Sequence, residues 1–263
     1  MLKRLKNIVK AALGAPLAEE LMHPGSGQAQ TLDDADPMTT EWTVFRTAST
    51  ARALFRAARR GLGVNTVVDV GASNGSWTEV CMKHLPRAQY LLIEAQDCHV
   101  QALEAFQAAH PNVRYVLAAA GDACGECYFD DTDAFSGVAS AVPFSKAQKK
   151  LPMVSVDSAV DKAGLAGPYL LKLDTHGFEP SILRGAAKVL ENAELVIIEA
   201  YIFQLEASEA ITFDKLCLLM DEKGFRLVDF SEPMWREKDM ALWQWDLFFI
   251  RKDSPVFASN SYA

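Results

Sequence analysis

Residues 66–77 read TVVDVGASNGSW, and this stretch decides how the rest of the chain is read. Thr66 to Val70 is apolar and β-branched, the pattern of a parallel strand buried on both faces. Gly71 and Gly75 permit a tight turn. Helical spacing starts at once, with Trp77, Val80, Cys81 and Leu85 on one face and Pro86 as the stop. A strand, a glycine turn and a helix N-terminus together form a seat for a phosphate or a nucleoside.

Outward from this turn, strands and helices alternate. Strands are expected at 90–94, 113–118, 169–174 and 195–199, with two late ones at 225–230 and 246–251. Helices are expected from Val100 to the stop at His110-Pro111, from Pro180 with Ile182, Leu183, Ala186, Val189 and Leu190 inward, and from Thr212 to Gly224. Residues 125–152 break the rhythm and read as a hairpin or insertion, followed by a short strand near 153–156. The alternation predicts a mostly parallel sheet with helices on both faces and an antiparallel C-terminal edge hairpin. Residues 1–60 form an N-terminal helical and linker segment, and 61–263 the main domain. Within the first part, 1–21 is an amphipathic, lysine-bearing stretch. It reads either as a surface helix or as a peripheral contact with an anionic membrane. Residues 23–41 read as a loop, and 42–60 as a helix.

Composition narrows the function. The formal charge is −8 over 263 residues, with acids and bases interspersed, so nucleic acid is not an expected partner. Five scattered cysteines and no clear signal peptide point to a reducing, cytoplasmic compartment. No apolar run approaches the ~20 residues a membrane span needs. Cys124-Gly-Glu-Cys127 lacks a second pair and reads as free thiols.

In an open α/β sheet, ligands sit beyond the carboxyl ends of the strands. The residues there are Gly71, Ala72, Ser73, Gly75, Ser76 and Trp77 after strand one, and Glu94 and Ala95 after strand two. Ala119 follows strand three, Asp174 and His176 strand four, and Glu199 strand five. No GxGxxG is present, which disfavours a dinucleotide. Asp69 before the turn, two glycines and Glu94 on the expected ribose side suit a nucleoside without a pyrophosphate, such as S-adenosylmethionine. Asp174 and Glu199 should converge, and His176 or Asp174 is a candidate base for a hydroxyl proton. The other role open to His176 is to cap the turn. No metal site is assigned, because carboxylates alone (Asp174, Glu199 and perhaps Asp157) are weak evidence for a cation. Trp235, Trp243 and Trp245 are candidates for an acceptor pocket or for packing. Lys172, inside strand four, is expected to pair with an acid.

The chain resembles the FkbM-type methyltransferases. Beside the glycine turn, YLLIEAQD (90–97), LAAAGD (117–122), SGVASAV (136–142), VSVDSAV (154–160) and LWQWDLFFIR (242–251) are similar to family segments. LLKLDTHGFEPSILRGA (170–186) carries the likeness furthest. Its family form is LKID, two variable residues, G-x-E, then a helix with L-x-G-A. Two departures stand out: Ser73 replaces a frequent middle glycine, and His176 sits where Gln or Glu is usual. The resemblance implies a Rossmann-like class I fold of seven strands. It also implies S-adenosylmethionine as cofactor and O-methylation of a hydroxyl on a sugar, glycolipid or natural-product acceptor. A SAM-binding scaffold without turnover and an NAD-dependent oxidoreductase are the alternative readings.

Overall fold

A computed structural model describes residues 48–144, 149–206 and 209–262. The readings for 1–21 and 23–41 lie outside the described residues. The expected 42–60 helix is described only from Ala48 onward, where α1 spans Thr50–Arg59 behind a Ser49 N-cap. The main strands follow: β1 (Thr66–Val70), β2 (Gln89–Glu94), β3 (Val113–Leu117), β8 (Tyr169–Leu173), β9 (Ala193–Tyr201), β10 (Phe225–Trp235) and β11 (Leu242–Arg251). Between them lie α2 (Ser76–Met82), α3 (Val100–Ala109), α4 (Val156–Ala163), α5 (Glu179–Arg184), α6 (Ala187–Glu191) and α7 (Phe213–Glu222). The seven strands form one sheet in the order β10-β11-β9-β8-β1-β2-β3. Every pairing is parallel except those of β11, which runs antiparallel to both β9 and β10. The expected C-terminal hairpin is therefore present, with β11 inside the sheet and β10 at its edge.

The sheet is buried on both faces, as the apolar runs require. In β1 and β8, Val68, Val70, Leu171 and Leu173 pack with α4, α5, α6 and α7, while Val67 and Leu170 pack with α1, α2 and α3. Side chains alternate along a strand, so Asp69, Lys172, Glu199 and Asp246 fall on the α1 side. The carboxyl ends of the central strands thus carry a polar row at the edge of an otherwise apolar face.

The 125–152 insertion is a second, four-stranded sheet in the order β4-β7-β5-β6. Its strands are β4 (Ala119–Gly121), β5 (Gly125–Asp130), β6 (Val138–Ser140) and β7 (Lys149–Ser155). The helix expected after Pro180 is broken into α5 and α6 at Gly185-Ala186. A Cβ at residue 185 would drive into the Gly121 carbonyl, so the chain bends around β4. The five residues predicted to face inward are all buried.

Helix α1 packs on the sheet. Ala53, Leu54 and Ala57 are buried. Arg56 holds Asp229 of β10 through Nε at 2.8 Å and Nη2 at 2.9 Å, and Arg60 adds Nη2 at 2.8 Å. Burial works against the Asp229 charge, but the two guanidiniums outweigh it and hold its pKa below the usual carboxylate range. A depressed folded-state pKa stabilises above the unfolded value and is lost as pH falls through the folded one. Asp229→Asn should therefore cost about 1–2 kcal/mol in urea unfolding at pH 7. The gap to the parent protein should close as pH drops below about 4; a gap independent of pH would contradict the assignment.

Candidate active site

The turn after β1 is built by backbone geometry. Gly71 and Gly75 have φ of 76° and 83°, and Ser73 also adopts a positive φ, 51°. At residue 71 a Cβ would collide with the Asp174 carbonyl oxygen. Glycine there lets the β1 turn and the end of β8 touch backbone to backbone. Ser73, where a third glycine was the commoner choice, is held by Glu94: its N–H donates to Glu94 Oε2 at 2.6 Å, while Gln96 N–H donates to Oε1 at 2.8 Å. Each oxygen retains a lone pair, so Glu94 can still accept the two hydroxyls of a ribose. Ala72 is buried beneath the turn, and Ser76 N–H donates to Asn74 Oδ1 at 3.2 Å as α2 begins. Ala95 is half-buried beside Glu94, and Ala119 lies in the core on β4.

Asp69 sits at the base of this turn. Its carboxylate accepts from Thr78 Oγ1 at 2.6 Å and pairs with Lys172 Nζ at 3.0 Å. Any influence it has on a ligand passes through these partners. Lys172, as expected, pairs with acids: its second contact is Asp174 Oδ2 at 3.3 Å, and its Nζ also lies 3.3 Å from the Gly71 carbonyl. The ring of Trp77 lies 5.3 Å from the same ammonium. Burial alone would discharge this lysine, yet Asp69 and Asp174 dominate and raise its pKa. One cation thus joins β1, β8 and the first turn of α2.

At the mouths of β8 and β9, Asp174, His176 and Glu199 converge, with one ligand atom of each within 4.8 Å of the others. His176 is held at φ 56°. The loop that strains it is tied down by Glu179, whose Oε1 accepts from Gly177 N–H at 2.9 Å and Thr175 Oγ1 at 3.0 Å. This gives the Gly-x-Glu of the strand-four segment a physical role. His176 Nδ1 lies 2.9 Å from Glu199 Oε2 and 2.7 Å from the Tyr201 hydroxyl. Tyr201 donates a short bond to Glu199 Oε2, and Gln244 Nε2 donates to Oε1. Such a triad has donors a divalent cation could use. Its imidazole Nδ1 and both carboxylate oxygens are, however, already engaged in hydrogen bonds. Asp157 lies apart from it, accepting the Lys188 and Val189 N–H groups at 3.0 Å to cap α6.

Several site residues were missed from sequence. Gln96 and His99 are buried, His99 at the N-cap position of α3. Gln96 Nε2 donates to the Asp133 carbonyl at 3.2 Å, and His99 Nε2 lies 2.7 Å from the Ala134 carbonyl. His176 Nε2 lies 3.2 Å from the Phe135 carbonyl. The 131–137 connection between β5 and β6 therefore bridges the Glu94 side and the His176 side. Of the tryptophans, Trp243 meets Tyr201 edge-on at 5.9 Å and stacks on Phe203 at 5.6 Å. Trp245 packs against Phe213 and Phe230, and Trp235 lies toward solvent.

Removing one member of a buried ion pair strands its partner. Lys172→Met should cost ~3 kcal/mol or more in chemical unfolding. Asp174→Asn should cost much less, because that side chain is 36% exposed against 0% for Asp69. Equal losses would contradict the bridging role of the lysine.

A family model described as the methyltransferase FkbM domain matches residues 69–227. No curated protein matches the chain. Solved structures similar to it include the methyltransferase FkbM from Methylobacillus flagellatus KT, with 17% identity, TM-score 0.49, and coverage of 80% of this chain and 51% of that one. Another is a 1,6-didemethyltoxoflavin-N1-methyltransferase from Burkholderia thailandensis, with 12% identity, TM-score 0.43, and coverage of 88% and 94%. The chain spans about half the length of the Methylobacillus protein. The family model covers more than half of the 263 residues, from the aspartate of β1 into β10, and the chain belongs to the FkbM methyltransferase family.

Proposed function

We propose that the protein transfers a methyl group from S-adenosylmethionine to a hydroxyl of a small-molecule or glycan acceptor: a sugar, a glycolipid or a natural product. The observation that carries this is one juxtaposition. A turn with a buried carboxylate suited to a ribose lies against strand ends bearing Asp174, His176 and Glu199. The donor set also suits the group at its other end, since a sulfonium cation is favoured by the surplus of carboxylates around Lys172. When bound, the cofactor supplies an electrophilic methyl that an acceptor oxygen takes as the carbon–sulfur bond breaks.

The chain's own residues then have separable tasks. Glu94 and the 71–77 turn bind and orient the nucleoside. Asp174, anchored by Lys172 and by its N–H on the Val70 carbonyl at 3.0 Å, fixes the edge of the reaction site. His176 takes the proton from the acceptor hydroxyl, a weak nucleophile until deprotonated. Its imidazolium form is stabilised by Glu199. The 131–137 connection covers the space between the two ends and excludes water.

Isothermal titration and a methyl-transfer assay test this reading. S-adenosylmethionine and S-adenosylhomocysteine should bind and NADH should not compete; Glu94→Ala should weaken binding at least about tenfold, the worth of a charge-assisted hydrogen bond. A panel of hydroxyl and amine acceptors should yield an O-methyl product. Binding without transfer on any acceptor would leave only the scaffold reading, and an N-methyl product would overturn the hydroxyl assignment.

Two further outcomes follow from the hydrogen-bonded triad. His176→Ala should lower kcat by roughly 10²–10⁴ with the cofactor affinity retained. Turnover should persist in excess EDTA, because His176 Nδ1 and the Glu199 oxygens are committed to each other and to Tyr201 and Gln244. Loss of activity on chelation, restored by Mg²⁺ or Mn²⁺, would instead make the triad a cation site.

A further inference from the structure

Tyr201 and Gln244 were given no task in the reaction above, yet both end on Glu199. They face each other across the β9–β11 pairing. Tyr201 lies two residues after Glu199, on the same side of β9. Tyr201 and Glu199 are each only 6% exposed.

Counting donors and acceptors fixes the protons. An ionised carboxylate only accepts. Its Oε1 takes a bond from the Gln244 amide nitrogen, an orientation the amide must keep because its oxygen would repel the carboxylate. Its Oε2 takes the Tyr201 hydroxyl proton. Tyr201 retains that proton, since burial and then the charge of Glu199 hold its pKa well above the usual phenol value. With its proton given to Glu199, the phenol oxygen can only accept from the imidazole. His176 Nδ1 therefore faces two acceptors, Glu199 Oε2 at 2.9 Å and the Tyr201 oxygen at 2.7 Å, and must carry a proton. The nitrogen left to act as a base is Nε2.

We infer that Tyr201 and Gln244 are positioning residues which lock Glu199 in one ionised rotamer and so hold His176 as the Nδ1–H tautomer, with Nε2 as the proton acceptor. This deepens the proposed methyl transfer and rests on it for its catalytic meaning. The Phe135 carbonyl oxygen, 3.2 Å from Nε2, then marks where a hydrogen-bonding partner of that nitrogen sits. The carbonyl accepts from Nε2 only while the ring is the imidazolium that Glu199 balances; once the ring is neutral the proton stays on Nδ1 and this contact opens. An acceptor hydroxyl, which must donate to a bare Nε2, takes the place of the carbonyl.

Long-range ¹H–¹⁵N spectra of the full-length protein test the tautomer without any acceptor or turnover. At alkaline pH the neutral His176 ring of the parent should show protonated Nδ1 and bare Nε2. Tyr201→Phe combined with Gln244→Ala should give a mixed tautomer. An Nε2-protonated ring in the parent would overturn the inference, whatever the enzyme assay reports. Kinetics supply a second readout. Tyr201→Phe and Gln244→Ala should each lower kcat roughly 10- to 100-fold, the scale of a misplaced catalytic group, with the calorimetric affinity for S-adenosylhomocysteine unchanged. In a His176→Ala background the same substitutions should cost less than about twofold, because residues acting through one group are not additive. Full additive losses in that background would show a structural role alone and contradict the positioning one. If the parent transfers no methyl to any acceptor, the function fails while the spectrum still decides the tautomer.

Discussion

One buried ammonium sets the geometry of the site. Lys172 lies near the carboxyl end of β8, where an apolar residue would pack without cost, and is held there by Asp69 of β1 and by Asp174 just beyond its own strand. The price of such a burial is high unless every charge is paired. What it secures is registry: the glycine turn that follows Asp69 and the loop that follows Asp174 cannot shift independently. Gly71 completes the lock, because only a residue without a side chain lets the turn lie against the Asp174 carbonyl. The glycine turn and the loop after β8 are therefore held together as one piece.

Around that piece the charge is deliberately unbalanced. Among the described residues, Asp69, Asp174 and Glu199 gather around Lys172 and His176, with Asp246 beside them. Burial, with the nearby Asp174 and Glu199, pushes the Asp246 pKa well above the carboxylate range, and Ser231 Oγ donates to it at 3.2 Å. The neutral form of Asp246 is thereby favoured. A site of this kind is tolerant of a cationic ligand and resists an anionic one, which agrees with a sulfonium and not with a dinucleotide pyrophosphate. The second sheet contributes differently. Its β5–β6 connection offers three successive carbonyls to Gln96, His99 and His176, so the insertion is fastened to both ends of the site at once.

The fold was legible because it depends on local patterns. Runs such as VVDV, YLLIE and LVIIE admit few other readings than buried parallel strands, and glycine and proline mark their ends. Glu94, Asp174, His176 and Glu199 were singled out by asking what lies at strand ends, a question that needs topology and no coordinates, and the last three converge in the structure. Other features depend on register between distant strands. Gln244 meets Glu199 only because β11 enters the sheet antiparallel beside β9, and nothing in QWD announces this. Tyr201 was closer to reach, since a period of two from Glu199 puts it on the same face. His99 is held by the 131–137 connection, far away in sequence, and nothing near it in the chain announces that contact. The break between α5 and α6 was hidden for the same reason: Gly185 is shaped by β4, not by its neighbours. The pairing of Arg56 with Asp229, separated by most of the domain, is likewise invisible to local patterns.

The account stands on the placement of one ligand across this piece. A crystal structure of the protein with S-adenosylhomocysteine tests it most directly. The account predicts the ribose hydroxyls on Glu94 and the sulfur turned toward Asp174 and His176, with Lys172 still bridging Asp69 and Asp174 beneath. A ribose bound away from Glu94, or a sulfur pointing away from the ends of β8 and β9, would contradict it.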